Sequence, residues 1–150
     1  MPNFSTKSRI ELNTCERVLQ ELFNTVVNKF DCSILEGHRG EAKQNANFYK
    51  GVSKVRYPYG KHNSTPSKAV DAGPYIAGRG IPWPKTPTDW NDRYQRNNYI
   101  KDMMQFAHYA GYVQGTADNM GINIRWGGDW DQDNDLRDNA FDDLVHFELV

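Results

Sequence analysis

Cysteine is scarce in this chain of 150 residues, and the two present, Cys15 and Cys32, stand in no CxxC spacing. A disulfide framework and a redox pair are therefore unexpected, and both thiols read as small buried hydrophobes. Long apolar runs are also missing. Nothing approaches the ~18 consecutive apolar residues of a membrane span, and the opening MPNFSTKSRIEL lacks the apolar core of a signal peptide. The expectation is a chain made in and kept by the cytosol, without membrane insertion. An excess of one charge is absent as well: 18 Lys and Arg against 19 Asp and Glu leave a formal net charge of −1. With no RNP, zinc-finger or basic-helix pattern either, a nucleic-acid partner is not expected.

Large aromatic groups are what the chain does have, with seven Phe, four Trp and eight Tyr. Disordered chains lack such groups, and a chain of this length buries roughly 68–70% of its unfolded surface. One folded domain over 1–150, with no separate binding module, is the expected organisation. The charges are unevenly spread. Residues 1–125 carry 17 Lys and Arg against 11 Asp and Glu, while 126–150 carry one Arg against eight acids. Most of the surface thus tolerates a polyanionic neighbour.

Along 8–30, Cys15, Val18, Leu19, Leu22, Phe23, Val26, Val27 and Phe30 recur at three- and four-residue intervals, which predicts one amphipathic helix opened by a Ser8–Glu11 capping box. Strands are predicted at 32–39, 68–75, 122–130 and 144–150, and shorter and longer helices at about 40–50 and from 88 or 89 to 115 or 120. The inner face of the long helix is expected to carry Tyr99, Ile100, Met103, Met104, Ala107, Ala110 and Val113. The Gly/Pro-rich segment IAGRGIPWPKTP, with Trp83 and Trp90 about it, reads as a lid or cleft wall. Strands and helices do not alternate strictly, so the predicted class is α+β, a small, mainly antiparallel sheet packed with helices.

Of the four histidines, His108 reads as structural or surface, while His62 and His146 stand where a partner is needed. His62 lies in a loop before the 68–75 strand, where Asp71 interrupts apolar AVDAG and would be costly to bury unpaired. His146 sits between Val145 and Phe147, with Asp143 three residues earlier. Two imidazoles and a carboxylate suit a catalytic zinc, with a further carboxylate to deprotonate bound water. Spacing alone leaves this open against ordinary hydrogen-bonded His and Asp.

The strings GKHNSTPSKAVDAGPY and DDLVHFELV, with LEGHRG before them and IRWGGDW between, resemble the D-alanyl-D-alanine carboxypeptidase-like zinc peptidases, most nearly the phage endolysins that cleave the L-alanyl-D-glutamate bond of peptidoglycan. The resemblance covers about residues 30–150. It implies His62, Asp71 and His146 as zinc ligands and Asp143 as general base, the offset of three from the last His favouring Asp143 over Asp142. Two departures from the family motif SxHxxGxAxD stand out: Gly60 replaces its Ser, and nine positions separate His62 from Asp71 where the short form has seven.

The resemblance further implies Arg39 as the arginine that binds substrate and stabilises the oxyanion, in keeping with the paired donors of a guanidinium. Gln44 is a candidate for lining the same cleft, and Tyr75, Trp126, Trp130 and Trp83 are candidate walls for the stem peptide. Asp129, Asp131 and Asp133 open an acidic run that suits a hard cation, although Asn134 and Ala140 stand where an EF-hand needs Gly and Glu. Calcium is the second cofactor considered, and a solvated acidic loop the alternative. The implied activity is that of a monomeric zinc endolysin held in the host cytoplasm until another protein opens the membrane. The competing expectations are a D-alanyl-D-alanine carboxypeptidase or dipeptidase and a non-catalytic wall-binding or structural phage protein.

Overall fold

A computed structural model of the chain describes residues 2–150. Its first helix, α1 (Thr6–Leu12), is capped by Ser5, whose hydroxyl accepts from the Ser8 amide at 3.1 Å. The helix therefore starts one turn earlier than the Ser8–Glu11 box predicts. Ser8 is instead buried and accepts from the Ile34 amide at 3.1 Å.

The single helix expected over 8–30 is two, because the chain leaves helical geometry after Leu12 and resumes it in α2 (Arg17–Val27). The break is a pairing site. Ser67 donates its amide to the Thr14 carbonyl at 2.9 Å, and its carbonyl accepts from the Glu16 amide at 2.8 Å. Leu12, Cys15, Leu19, Leu22, Phe23, Val26 and Val27 are buried across the break, with Phe30 partly so, and the periodicity holds except at Val18, which is exposed.

Strand β1 (Cys32–Glu36) leads to α3 (Glu41–Tyr49), a 3-10 turn at Lys61–Asn63 and β2 (Ala69–Pro74). The long α4 (Arg93–Met120) follows, then β3 (Ile124–Trp126) and β4 (His146–Leu149). The four strands form one antiparallel sheet in the order β1-β2-β4-β3. The α+β class and the antiparallel sheet agree with the sequence reading, while each strand is shorter than predicted. Val70, Ala72 and Phe147 point into the core, against Phe23 and Tyr109. Asp71, His146 and Glu148, one residue out of step, point to the other face. A one-residue slip would exchange these sets, so the apolar positions also place the polar ones.

Helix α4 packs through Asp102, Phe106, Tyr109, Ala110, Val113 and Ala117. Two residues expected on its inner face, Ile100 and Met104, are exposed instead, since the stripe is rotated toward Phe106 and Tyr109. The 76–87 segment is not a cleft wall. Trp83 packs on Phe106, Trp90 on Tyr99, and Arg79 grips both carboxylate oxygens of buried Asp102 at 2.8 and 2.9 Å. Cys15 and Cys32 are buried in the core, and burial pushes both thiols up to about 12.

Candidate active site

The polar face of the sheet opens into a cleft of about 630 Å³, walled by residues 52–55 and 59–61 on one side and by Trp130, Phe141, Asp143 and Val145 on the other. At its base Asp71 on β2 faces His146 on β4 as a cross-strand pair. The 3-10 turn adds His62. Asp71 Oδ1 lies 3.0 Å from His62 Nε2 and 3.2 Å from His146 Nδ1, and the two ring nitrogens are 3.2 Å apart. The three residues named from the sequence thus meet at one point, making a group that could hold a metal ion.

The outer nitrogen of each ring decides what the inner one presents. His62 Nδ1 donates to the Gly37 carbonyl at 2.6 Å, and His146 Nε2 donates to Glu148 Oε2 at 2.8 Å. With those protons outward, two bare ring lone pairs and a carboxylate oxygen face one another, an arrangement that repels itself unless a cation sits among them. Tetrahedral ligands at about 2.0–2.1 Å from a zinc ion stand about 3.3 Å from one another, near the spacing seen here.

A proton serves where no metal does. Burial alone would lower the His146 pKa, but hydrogen bonds to Asp71 and Glu148 raise it to about 9. Burial pushes Asp71 up, yet its hydrogen bonds to His146 and His62 hold it well below the usual carboxylate range. Glu148, similarly opposed by burial, is held at about 2 by His146 and Arg125.

Gly37 is required in this frame. A Cβ there would stand 2.1 Å from Thr14 Oγ1 and 2.4 Å from the Glu11 carbonyl, so only glycine lets its carbonyl reach His62. Gly127 has a similar duty, since a Cβ would meet the Asp143 carbonyl at 2.3 Å. Close backbone approach there, with the Asp143 amide donating to the Gly127 carbonyl at 2.8 Å, sets Asp143 in the cleft wall. Burial, and then the charge of Asp71, raise the Asp143 pKa. Asp142 is exposed and accepts from Asn139 at 3.1 Å outside the cleft, which separates the two candidate bases by position.

Arg39 and Gln44 line the cleft, Arg39 paired with Glu36 and placed 3.5 Å from Asp71 Oδ2. Gln44 is 1% exposed and occupied at both ends: Oε1 accepts from Arg39 and Asn63, and Nε2 donates to Ser53 and Val55. It is a post that holds Arg39 and one cleft wall. Besides Trp83, two expected wall residues lie elsewhere. Tyr75 follows the far end of β2, where its amide donates to Asp31, and Trp126 is in the core with its indole donating to the Leu144 carbonyl. Of the expected wall aromatics, the one in the cleft is Trp130, tilted over His146 with ring centroids 5.4 Å apart and Arg125 against its ring.

Glu148, Arg125 and Trp130 form a support behind His146 that sequence reasoning missed as a unit. Arg125 Nε donates to Glu148 Oε1 at 3.2 Å, and the Trp130 indole donates to the Phe141 carbonyl at 2.7 Å. The period of two along β4 was the available signal, because it puts Glu148 on the His146 face.

The phage L-alanyl-D-glutamate peptidase family matches residues 2–150. The chain belongs to that family. This L-alanyl-D-glutamate peptidase is a phage endolysin, a peptidoglycan hydrolase that cleaves the bond between L-alanine and D-glutamate. It is similar to the L-alanyl-D-glutamate peptidase of Escherichia phage T5, at 26% identity over 152 residues, covering 98% of this chain and 97% of that one. Its fold matches the crystal structure of Serratia marcescens L-Ala D-Glu endopeptidase ChiX, with a TM-score of 0.66 at 21% identity, over 99% of this chain and 91% of the other. Among the described residues no helix is long and apolar enough to cross a membrane.

Proposed function

We propose that this peptidase works as a zinc enzyme, with His62, Asp71 and His146 as the ligands and Asp143 as the general base. The observation that carries the reading is the set of three inward-facing acceptors, each with its other side already engaged. When bound there, zinc supplies Lewis acidity that brings a water pKa toward about 7 and polarises the scissile carbonyl.

The chain's own residues supply the rest. His62 Nε2, Asp71 Oδ1 and His146 Nδ1 would hold the ion. Asp143 has no ion-pair partner among the described residues, and its raised pKa makes it a stronger base than an exposed carboxylate. It takes the proton of the attacking water and returns it to the amine of the departing glutamate. Arg39 faces the carbonyl oxygen that gains charge, and its bonds to Glu36 and Gln44 keep the guanidinium from following the substrate. Trp130, Phe141 and Val145 keep that wall apolar, which strengthens each charge contact inside.

Incubating purified wall peptides with metal-stripped protein, before and after zinc is restored, tests the reading by mass spectrometry. New glutamate amino termini are expected only with zinc. Cleavage at full rate without any divalent metal would contradict it. In the cell we infer a single catalytic domain acting as a monomer, held in the host cytoplasm until the membrane is opened.

A second cofactor reading rests on a different atom. Asp129 is 3% exposed, and its Oδ1 is buried without a hydrogen-bond partner among the described residues. Ligand oxygens of Asp129, Asp131 and Asp133 lie within 4.8 Å of one another. An orphaned buried carboxylate oxygen is costly, and oxygen-only sites suit calcium. The following residue, Trp130, touches His146, so a calcium ion ordering this loop would bear on the peptidase site.

A further inference from the structure

We propose that Lys54 is the residue that receives the free carboxylate of the glutamate on the leaving-group side of the scissile bond. The proposal deepens the peptidase reading of the cleft and rests on it. Glutamate has two carboxyl groups, and a peptide that continues through either one leaves the other ionised at neutral pH. Cleavage before glutamate therefore brings a negative charge into the cleft close to the reacting nitrogen, and such a charge needs a cation.

Four cationic side chains line the cleft: Arg39, Lys54, Lys61 and Arg125. Two are already committed, Arg39 to Glu36 and Asp71, and Arg125 to Glu148. Lys54 and Lys61 have no carboxylate within 4.0 Å among the described residues, where the nearby lysine–acid pair is Lys43 with Glu36. Position separates these two. Lys54 Nζ stands 5.1 Å from the Phe141 ring centroid, so it reaches from its own wall of the cleft to the wall that carries Asp143 two residues on.

The backbone beneath Lys54 is fixed on both sides. Gln44 donates to Ser53 Oγ at 2.9 Å and to the Val55 carbonyl at 2.5 Å, so the lysine is mounted on a buried post although its tip is free. Phe141 lies beside that tip, and Val52 and Val55 line the same cleft, so the ammonium stands next to apolar surface, which strengthens a charge contact relative to open water. A resting cation–π contact also keeps the ammonium over the cleft before substrate arrives.

The test uses zinc-loaded protein and two synthetic peptides with the same L-alanyl-D-glutamate bond, one with the free carboxyl and one with that carboxyl amidated. The wild type should prefer the charged peptide by about 10-fold or more in kcat/KM, the scale of a hydrogen bond to a charged group. Lys54→Met and Lys54→Gln should bring that ratio close to one, mainly through KM for the charged peptide, while Lys54→Arg retains most of it. Zinc content and melting temperature should not move, because Lys54 is exposed. An unchanged ratio in Lys54→Met, or a wild type that cuts both peptides alike, would overturn the assignment. A wild type that cuts neither peptide would instead overturn the peptidase reading of the cleft.

Discussion

His62, Asp71 and His146 each have a partner behind them, in Gly37, Arg39 and Glu148, whereas Asp131 and Asp133 face solvent and only Asp129 of that cluster is buried. The first group stands on two paired strands and a turn pinned to Gly37 and Arg39, just beyond β1. The second stands on a loop in which Gln132 and Asn134 take left-handed backbone conformations, at φ 63° and 68°. The first cluster is held in place by its own hydrogen bonds, whereas the second sets one buried carboxylate beside two that face solvent. A site that must bind its metal permanently and a site that responds to changing metal levels would differ in this way.

The largest effect expected from breaking the first cluster is complete. His62→Ala or His146→Ala should lose zinc and activity together, read by elemental analysis beside a cleavage assay. Asp143→Asn should keep zinc and lose turnover by about 10²–10⁴-fold, the usual share of a general base, whereas Asp142→Asn should change little. Full activity in Asp143→Asn would move the base elsewhere.

Removing the support behind the ligands should act on affinity rather than on chemistry. Glu148→Ala frees the outer nitrogen of His146, and zinc affinity should fall by about 10–100-fold by competition with a chelator, with Glu148→Gln recovering part of it. The same histidine sets a pH dependence. Its pKa in the metal-free protein is about 9, against 6.5 for an unperturbed imidazole, and only the deprotonated ring binds metal. Apparent zinc affinity should therefore rise with pH through neutrality and level off near pH 9. The raised folded pKa also means that this proton stabilises the metal-free protein fully below pH 6.5 and is lost toward pH 9. Melting of the metal-free form should drop over that window, while the zinc form should not follow it.

The smallest effects belong to the acidic loop. Calcium added at constant zinc should raise the melting temperature by a few degrees, as a gain of about 1 kcal/mol would, and Asp129→Asn should abolish the response. No response in the wild type would leave the loop a solvated acidic segment and make the contrast between the clusters one of function as well as rigidity.

Much of this was legible from side-chain pattern. Alternation in AVDAG and LVHFELV places Asp71 and His146 opposite to Val70 and Phe147, and the family resemblance joins His62 to them over a distance that periodicity cannot bridge. What was not legible depended on contacts between distant segments. The break between α1 and α2 exists because Ser67 pairs with the backbone at 14–16, and the helical stripe carries no mark of that. Trp126 and Trp130 are equally plausible cleft aromatics by sequence. The turn at Gly127–Gly128 sends one into the core and the other over His146. Gln44 lines the cleft beside Arg39 as its place in the sequence suggests, but four hydrogen bonds to distant segments consume its amide, and nothing in the sequence marks them.

X-ray absorption at the zinc edge of the purified wild-type protein tests the central claim most directly. The account predicts about one zinc per chain in a shell of two imidazole nitrogens and light oxygen donors at about 2.0–2.1 Å, lost on His62→Ala. Active protein with no zinc, or a zinc whose shell contains sulfur or fewer than two imidazoles, would contradict it.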